Sequence, residues 1–198
     1  MRPEYWIPLL AYLLGSIPFG FLLVRLGEGK DIRRYGSGNI GATNVYRRSR
    51  AAGILTLALD AAKGTLAVLA AGWLGGGMEW QAVAALFAIA GHVFTPWLRF
   101  KGGKGVATGC GAFLALSPLA VATTLLVFAL VLALSRYISA ASMAAAAMFP
   151  LFARFYGAPA PVLLWASLGA VLIIARHHEN IRRLRAGTEN RFRPGSRS

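Results

Sequence analysis

Three observations predict an all-α, polytopic transmembrane bundle of about seven spans, one of them short or a half-helix. Hydrophobic residues make up 57% of the 198 positions and charged residues only 14%. The 21 lysines and arginines outnumber the 7 acidic residues, for a net charge of +14. Those charges collect between long charge-free runs instead of spreading along the chain. Disorder requires low hydrophobicity, so that class is excluded. A soluble nucleic-acid-binding domain tolerates the charge but not so much apolar surface, whereas a membrane protein gathers its positive charge at one face. The single cysteine, Cys110, permits no internal disulfide and no zinc set.

Residues 5–24 form a run long enough to cross a hydrocarbon core of ~30 Å. Arg2 is the only cation ahead of it and no small-residue cleavage pattern follows, so it reads as a span and not a signal peptide. Residues 51–74 are a second span, interrupted only by Asp60 and Lys63, and residues 80–98 a third, enclosing His92. The uncharged stretch 105–135 would make a helix of about 46 Å, too long for one ordinary crossing. Pro118 divides it, because the residue before a proline is pushed out of helix, into a short piece at 105–116 and a full span at 118–134. Residues 137–153 and 155–175 complete the set.

With the N-terminus outside and the C-terminus cytoplasmic, segments 25–50, 99–104, 135–137 and 176–198 lie inside. They carry 18 of the 21 lysines and arginines, against Arg2 and Arg154 outside. That asymmetry is a strong positive-inside signal. The chain 1–198 reads as one membrane domain with a disordered tail at 193–198.

The inside loops are not plain basic tethers. GSGNIGATNVYR (36–47) combines glycines and asparagines, which turn the backbone tightly and expose N–H groups to an anion, with Ser37 and Arg47 as further donors. FKGGKGVAT (100–108) runs glycines into a helix start beside Lys104, a physical recipe for holding phosphate. It is not a P-loop, because Leu98 and Gly105 stand where that motif needs a glycine and a hydroxyl. RHHENIRRLRAGTEN (176–190) places His177 and Asn180 three apart, on one face if the helix continues. Arg136, Ser139 and Ser142 share the same spacing at the start of a span. Asp60 and Lys63 pair toward the bundle interior, as glue or as part of the site. Adjacent His177, His178 and Glu179 point in different directions on a helix, so no metal is expected.

These three loops, with LDAAKG (59–64), Gly91-His92 and RYISAAS (136–142), closely resemble the bacterial acyl-phosphate:glycerol-3-phosphate acyltransferase family from about residue 5 to 192. The resemblance implies an integral inner-membrane enzyme that moves a fatty acyl chain from acyl phosphate to the 1-hydroxyl of glycerol 3-phosphate. The products would be lysophosphatidate and inorganic phosphate, in the first step of phospholipid synthesis. It implies Ser37, Arg47, Lys104, His177 and Asn180 as catalytic positions. Gly36, Asn39, Gly41, Thr43, Asn44, Gly102, Gly103, Gly105, Arg136, Ser139 and Ser142 are the expected substrate-binding set. No cofactor or metal is implied; the partners are the two substrates, the bilayer and the enzyme that supplies acyl phosphate, with no nucleic acid. The HxxxxD pair of acyl-CoA-using enzymes is missing: Trp97, Arg182 and Arg183 stand five residues after His92, His177 and His178.

An acyl phosphate is already activated, so positioning and charge stabilisation can supply most of the rate. His177 is the candidate base, with a substrate phosphate as its competitor for the proton. A transporter for a phosphorylated metabolite would place its motifs at the midplane, and an RNA-binding protein would place aromatics among its charges; this chain does neither.

Overall fold

The computed structural model describes residues 3–192, so Arg2 and the tail at 193–198 lie outside the described residues. All regular structure among these is helical: α1 (Ile7–Ser16), α2 (Phe19–Glu28), α3 (Ala42–Arg48), α4 (Arg50–Trp73), α5 (Met78–Val93), α6 (Val106–Leu114), α7 (Pro118–Ser135), α8 (Ile138–Phe155), α9 (Ala160–Ala175) and α10 (His178–Arg185). Five segments are long and apolar enough to span a membrane: α1 with α2 as one, α4, α5 with the turn after it, α7 and α8. α9 passes the same test only together with α10, from which it is bent by 51°, so the count is five, or six with that pair. The nine residues of α6, about 14 Å of helix, are the short seventh segment expected between Gly105 and Pro118.

Prolines set several boundaries, though not all in the expected way. Pro118 opens α7, which ends the previous run. Pro18 breaks the first span into α1 and α2, a division that an uninterrupted apolar run does not reveal. Pro150 sits inside α8 without ending it. Phe155 ends α8 and residues 156–159 are a turn instead of the start of the last span, because Gly157 adopts φ 77° and Pro159 caps α9.

The helices meet through small residues, as membrane helices do when close backbone approach is the source of packing energy. A Cβ on Gly15 would fall 2.1 Å from the Ala88 carbonyl oxygen, and one on Gly91 would fall 2.1 Å from that of Tyr12, so α1 and α5 are nearly in backbone contact. Gly64 and Gly111 do the same between α4 and α6. The main core lies between α4, α5, α6, α7, α8 and α9, around Val68, Ile89, Phe113 and Phe149. On α7, Leu119, Leu126, Leu130 and Leu134 are exposed, which in this setting is a face for lipid.

Candidate functional site

The first loop is built around one side chain. Asn44 is buried; its amide donates to the carbonyls of Tyr35 (3.0 Å) and Asn39 (2.8 Å), and its Oδ1 accepts from Ser37 N–H (3.0 Å). Gly36 turns at φ 56°, and a Cβ there would stand 2.3 Å from the Asn44 oxygen. Asn39 accepts from Gly41 N–H at 2.8 Å, and Gly41 caps α3. Asn44 and Asn39, expected as substrate ligands, therefore spend their polar groups on the loop itself. Thr43 and Arg47 lie on α3, a short helix where the glycine-rich string suggested only loop.

The second loop is bolted to α5. Gly102 N–H donates to the Val93 carbonyl and Gly103 N–H to that of His92, both at 3.0 Å. A Cβ on Gly102 would sit 2.0 Å from the His92 carbonyl oxygen. These two glycines, expected as phosphate ligands, instead allow the loop to lie directly on α5. The donors left for an anion are those at the start of α6, which have no partner within a helix. Gly105 makes that start possible by taking φ 82° as the cap.

From this loop Lys104 donates through Nζ to Asn180 Oδ1. Asn180 Nδ2 donates to Glu189 Oε1 at 2.7 Å, Ser139 Oγ to the same oxygen at 2.8 Å, and Arg183 Nε to Glu189 Oε2 at 2.6 Å. One chain of hydrogen bonds thus joins the second loop, α8, α10 and the segment after it. Glu189 and Arg183 also act electrostatically on Arg47. Sequence reasoning missed Glu189 and assigned Arg183 no role. Glu189 is one of two carboxylates in a basic tail, a signal that gains meaning only when the tail folds back, tied by Phe192 N–H to the Arg136 carbonyl at 2.6 Å.

Electrostatics follow from this geometry. Burial pushes the Lys104 ammonium down to about 8; Glu189 opposes that shift and Arg183 adds to it. Burial alone would raise the Glu189 carboxyl, but hydrogen bonds from Arg183, Asn180 and Ser139 outweigh it and hold it below its usual value. His177, beyond the end of α9, is pushed down to about 4, chiefly by burial. Its Nδ1 lies 2.7 Å from the Ile173 carbonyl. A carbonyl only accepts, so Nδ1 carries the hydrogen and the neutral ring keeps its lone pair on Nε2.

His177 and Asn180 are both buried, although the helix does not continue through them: α9 ends, the chain bends, and His177 caps α10. Arg136 departs from the expected alignment. It leaves α7 at φ 60°, so it cannot share a helical face with Ser139 and Ser142, and its side chain is exposed. Ser142 lines an apolar groove between α6, α7, α8 and α9, together with Cys110, Phe113, Phe128 and Phe149 among others. Val106, Ser142 and Ile173 also line it. Val106 follows the Lys104 loop, Ser142 lies a turn from Ser139, and Ile173 holds His177, so the groove runs up to the polar cluster.

The fold and site define an integral membrane protein with a cationic cluster set at the end of an apolar groove. The family described as glycerol-3-phosphate acyltransferase matches residues 5–187. The glycerol-3-phosphate acyltransferase of Trichlorobacter lovleyi is 54% identical over 92% of this chain and 94% of its own. That of Geobacter sulfurreducens is 51% identical over 98% and 100%. Among solved structures, PlsY (YgiH), an integral membrane glycerol 3-phosphate acyltransferase, in its glycerol 3-phosphate form, superposes with a TM-score of 0.91 at 40% identity, covering 96% of each chain. Its lysophosphatidic acid form gives 0.87 at 38% identity over 96% of this chain and 95% of that one. The chain belongs to the glycerol-3-phosphate acyltransferase family of membrane phospholipid synthesis.

Proposed function

We propose that this protein transfers a fatty acyl group from acyl phosphate to the 1-hydroxyl of glycerol 3-phosphate, releasing lysophosphatidate and inorganic phosphate. The observation that carries the reading is the junction of an apolar groove with a cationic cluster whose residues include no cysteine. Such a site suits a donor that is already activated. The acyl chain lies in the groove with its carbonyl beside His177, Ser142 and the start of α6. Lys104 and the first turn of α6 hold the phosphate of glycerol 3-phosphate. Arg47, Ser37 and Asn180 orient the acyl phosphate and stabilise the oxyanion as it forms.

The 1-hydroxyl oxygen attacks the acyl carbon, the C–O bond to phosphate breaks, and phosphate leaves with the electron pair. The hydroxyl proton goes to a phosphate oxygen. His177 carries its hydrogen on Nδ1, toward the Ile173 carbonyl, so its Nε2 accepts the hydroxyl's hydrogen bond and aims it. The excess of Lys and Arg in alternate connections supports an N-terminus outside, a C-terminus in the cytoplasm and a site facing the cytoplasm across the inner membrane. The enzyme that supplies acyl phosphate would then meet this protein at that face.

Purified protein in detergent should release phosphate from palmitoyl phosphate only when glycerol 3-phosphate is added, with lysophosphatidate appearing in equal amount. Palmitoyl-CoA should not replace the donor. Equal rates with palmitoyl-CoA, or release without glycerol 3-phosphate, would refute the reading.

A further inference from the structure

The Asp60–Lys63 pair is one feature that the reaction above does not use. Lys63 Nζ lies 2.7 Å from Asp60 Oδ1, 2.9 Å from His92 Nδ1 and 2.7 Å from the Ile17 carbonyl. Asp60 Oδ1 lies 3.6 Å from His92 Nδ1. All three side chains are almost fully buried within the bundle. An ammonium can only donate, so His92 Nδ1 accepts from Lys63 and the ring's hydrogen sits on Nε2.

That ring is turned toward the second loop. A Cβ on Gly103 would lie 2.0 Å from His92 Nε2 and 2.9 Å from both neighbouring ring carbons. The backbone of the same residue accepts from Gly103 N–H, and its neighbour Val93 accepts from Gly102 N–H. His92 therefore meets the loop through both its backbone and its ring. Lys63 fixes the ring from beneath, Asp60 fixes Lys63, and Ile17 contributes the carbonyl next to the Pro18 break.

We infer that Asp60, Lys63 and His92 are positioning residues for the 102–105 loop: from inside the membrane bundle they set where Lys104 and the start of α6 meet the substrate's phosphate. A buried ion pair needed only for stability could be replaced by neutral groups at little loss. This one is coupled, through a histidine ring, to a single loop. The inference rests on the reading that this loop takes the phosphate of glycerol 3-phosphate.

The test uses the full-length protein and separate KM values for glycerol 3-phosphate and palmitoyl phosphate. D60N/K63M removes both charges together. It should raise the KM for glycerol 3-phosphate about tenfold or more, leave that for palmitoyl phosphate within about twofold, and leave the thermal unfolding midpoint in detergent nearly unchanged. H92Q, which keeps the ion pair and removes the ring, should reproduce the split should D60N/K63M fold poorly. K104A serves as the control for the loop assignment. If K104A raises the glycerol 3-phosphate KM while a folded D60N/K63M or H92Q does not, the positioning role is wrong and the loop assignment stands. If K104A and the buried variants raise only the palmitoyl phosphate KM, the positioning role stands and the loop assignment is wrong. Equal movement of both KM values in the buried variants, or collapse of both variants on purification, would reduce the network to a stabilising one.

Discussion

Two ionic clusters lie on either side of the second loop, and they use similar residues to opposite ends. Beneath it, Asp60, Lys63 and His92 are enclosed by helices, and one carboxylate faces one ammonium. Above it, Lys104, Arg47 and Arg183 lie around Glu189, and Arg183 also reaches the more exposed Glu179 at 3.9 Å. The inner cluster is balanced, which lets charges persist in a bundle where an unpaired one is expensive. The outer cluster sets three cations against two carboxylates and so keeps a positive surplus, which favours an anion. Glu189 restrains that excess: it orders Asn180, Ser139 and Arg183 and leaves Lys104 joined to it only through Asn180. On the proposed reading, the balanced cluster is the support and the unbalanced one the binding site.

The largest effect should come from removing the cation at the centre of the outer cluster. A charge-assisted hydrogen bond of ordinary strength predicts that K104A lowers kcat/KM for glycerol 3-phosphate by about 10²-fold. Steady-state kinetics with palmitoyl phosphate saturating would measure it. A loss under about threefold would remove Lys104 from the site.

Next in size is the restraint itself. E189Q keeps an acceptor for Asn180 but presents an amide to Arg183, and should cost roughly tenfold in kcat/KM. Its pH profile is more telling. With Lys104 at about 8, kcat/KM for glycerol 3-phosphate should decline above that pH as the ammonium is lost. Glu189 raises the Lys104 value, so in E189Q the decline should begin at lower pH. In D60N/K63M it should stay where it is, because the lower cluster acts on loop position. An alkaline limb that moves in D60N/K63M and not in E189Q would invert the roles assigned to the two clusters.

A smaller and more selective change is expected below the polar cluster. Ala146 lines the apolar groove on α8. A146F should lower kcat/KM for palmitoyl phosphate several-fold, spare shorter acyl phosphates and leave the glycerol 3-phosphate KM unchanged. A uniform loss across chain lengths would detach the groove from the acyl chain.

The sequence made this division only partly legible. Charge-free runs located the spans, and Pro118 located the break before α7, because length and proline geometry act locally. Pro18 and Pro150 show the limit of that reasoning. One breaks a span and the other is absorbed into α8, an outcome decided by packing rather than by the residue. The motifs pointed to Lys104, Asn180, His177 and Arg47, which the fold brings near one another, but they could not separate ligands from scaffold. Asn44 and Gly103 look like binding residues because a tight loop needs them as much as a ligand would. Glu189 depends on a tail that returns across the site, a contact with no local signature. The Asp60–Lys63 pair was visible as a pair, but its reach to the loop runs through His92 on another helix.

The smallest effect is expected at Arg136, and it tests how far the outer cluster extends. Spacing alone put its guanidinium with Ser139 and Ser142, yet the residue stands at φ 60° with its side chain exposed, and its backbone carbonyl is what holds the returning tail through Phe192. Glycine adopts that left-handed conformation without the steric cost a side chain carries. R136G therefore removes the charge and preserves, or slightly relaxes, the backbone that docks the tail. Both KM values should stay within about twofold of the parent and the unfolding midpoint should not fall. A tenfold rise in either KM would extend the cationic surplus to a fourth residue and make the outer cluster broader than the Glu189 network that now bounds it.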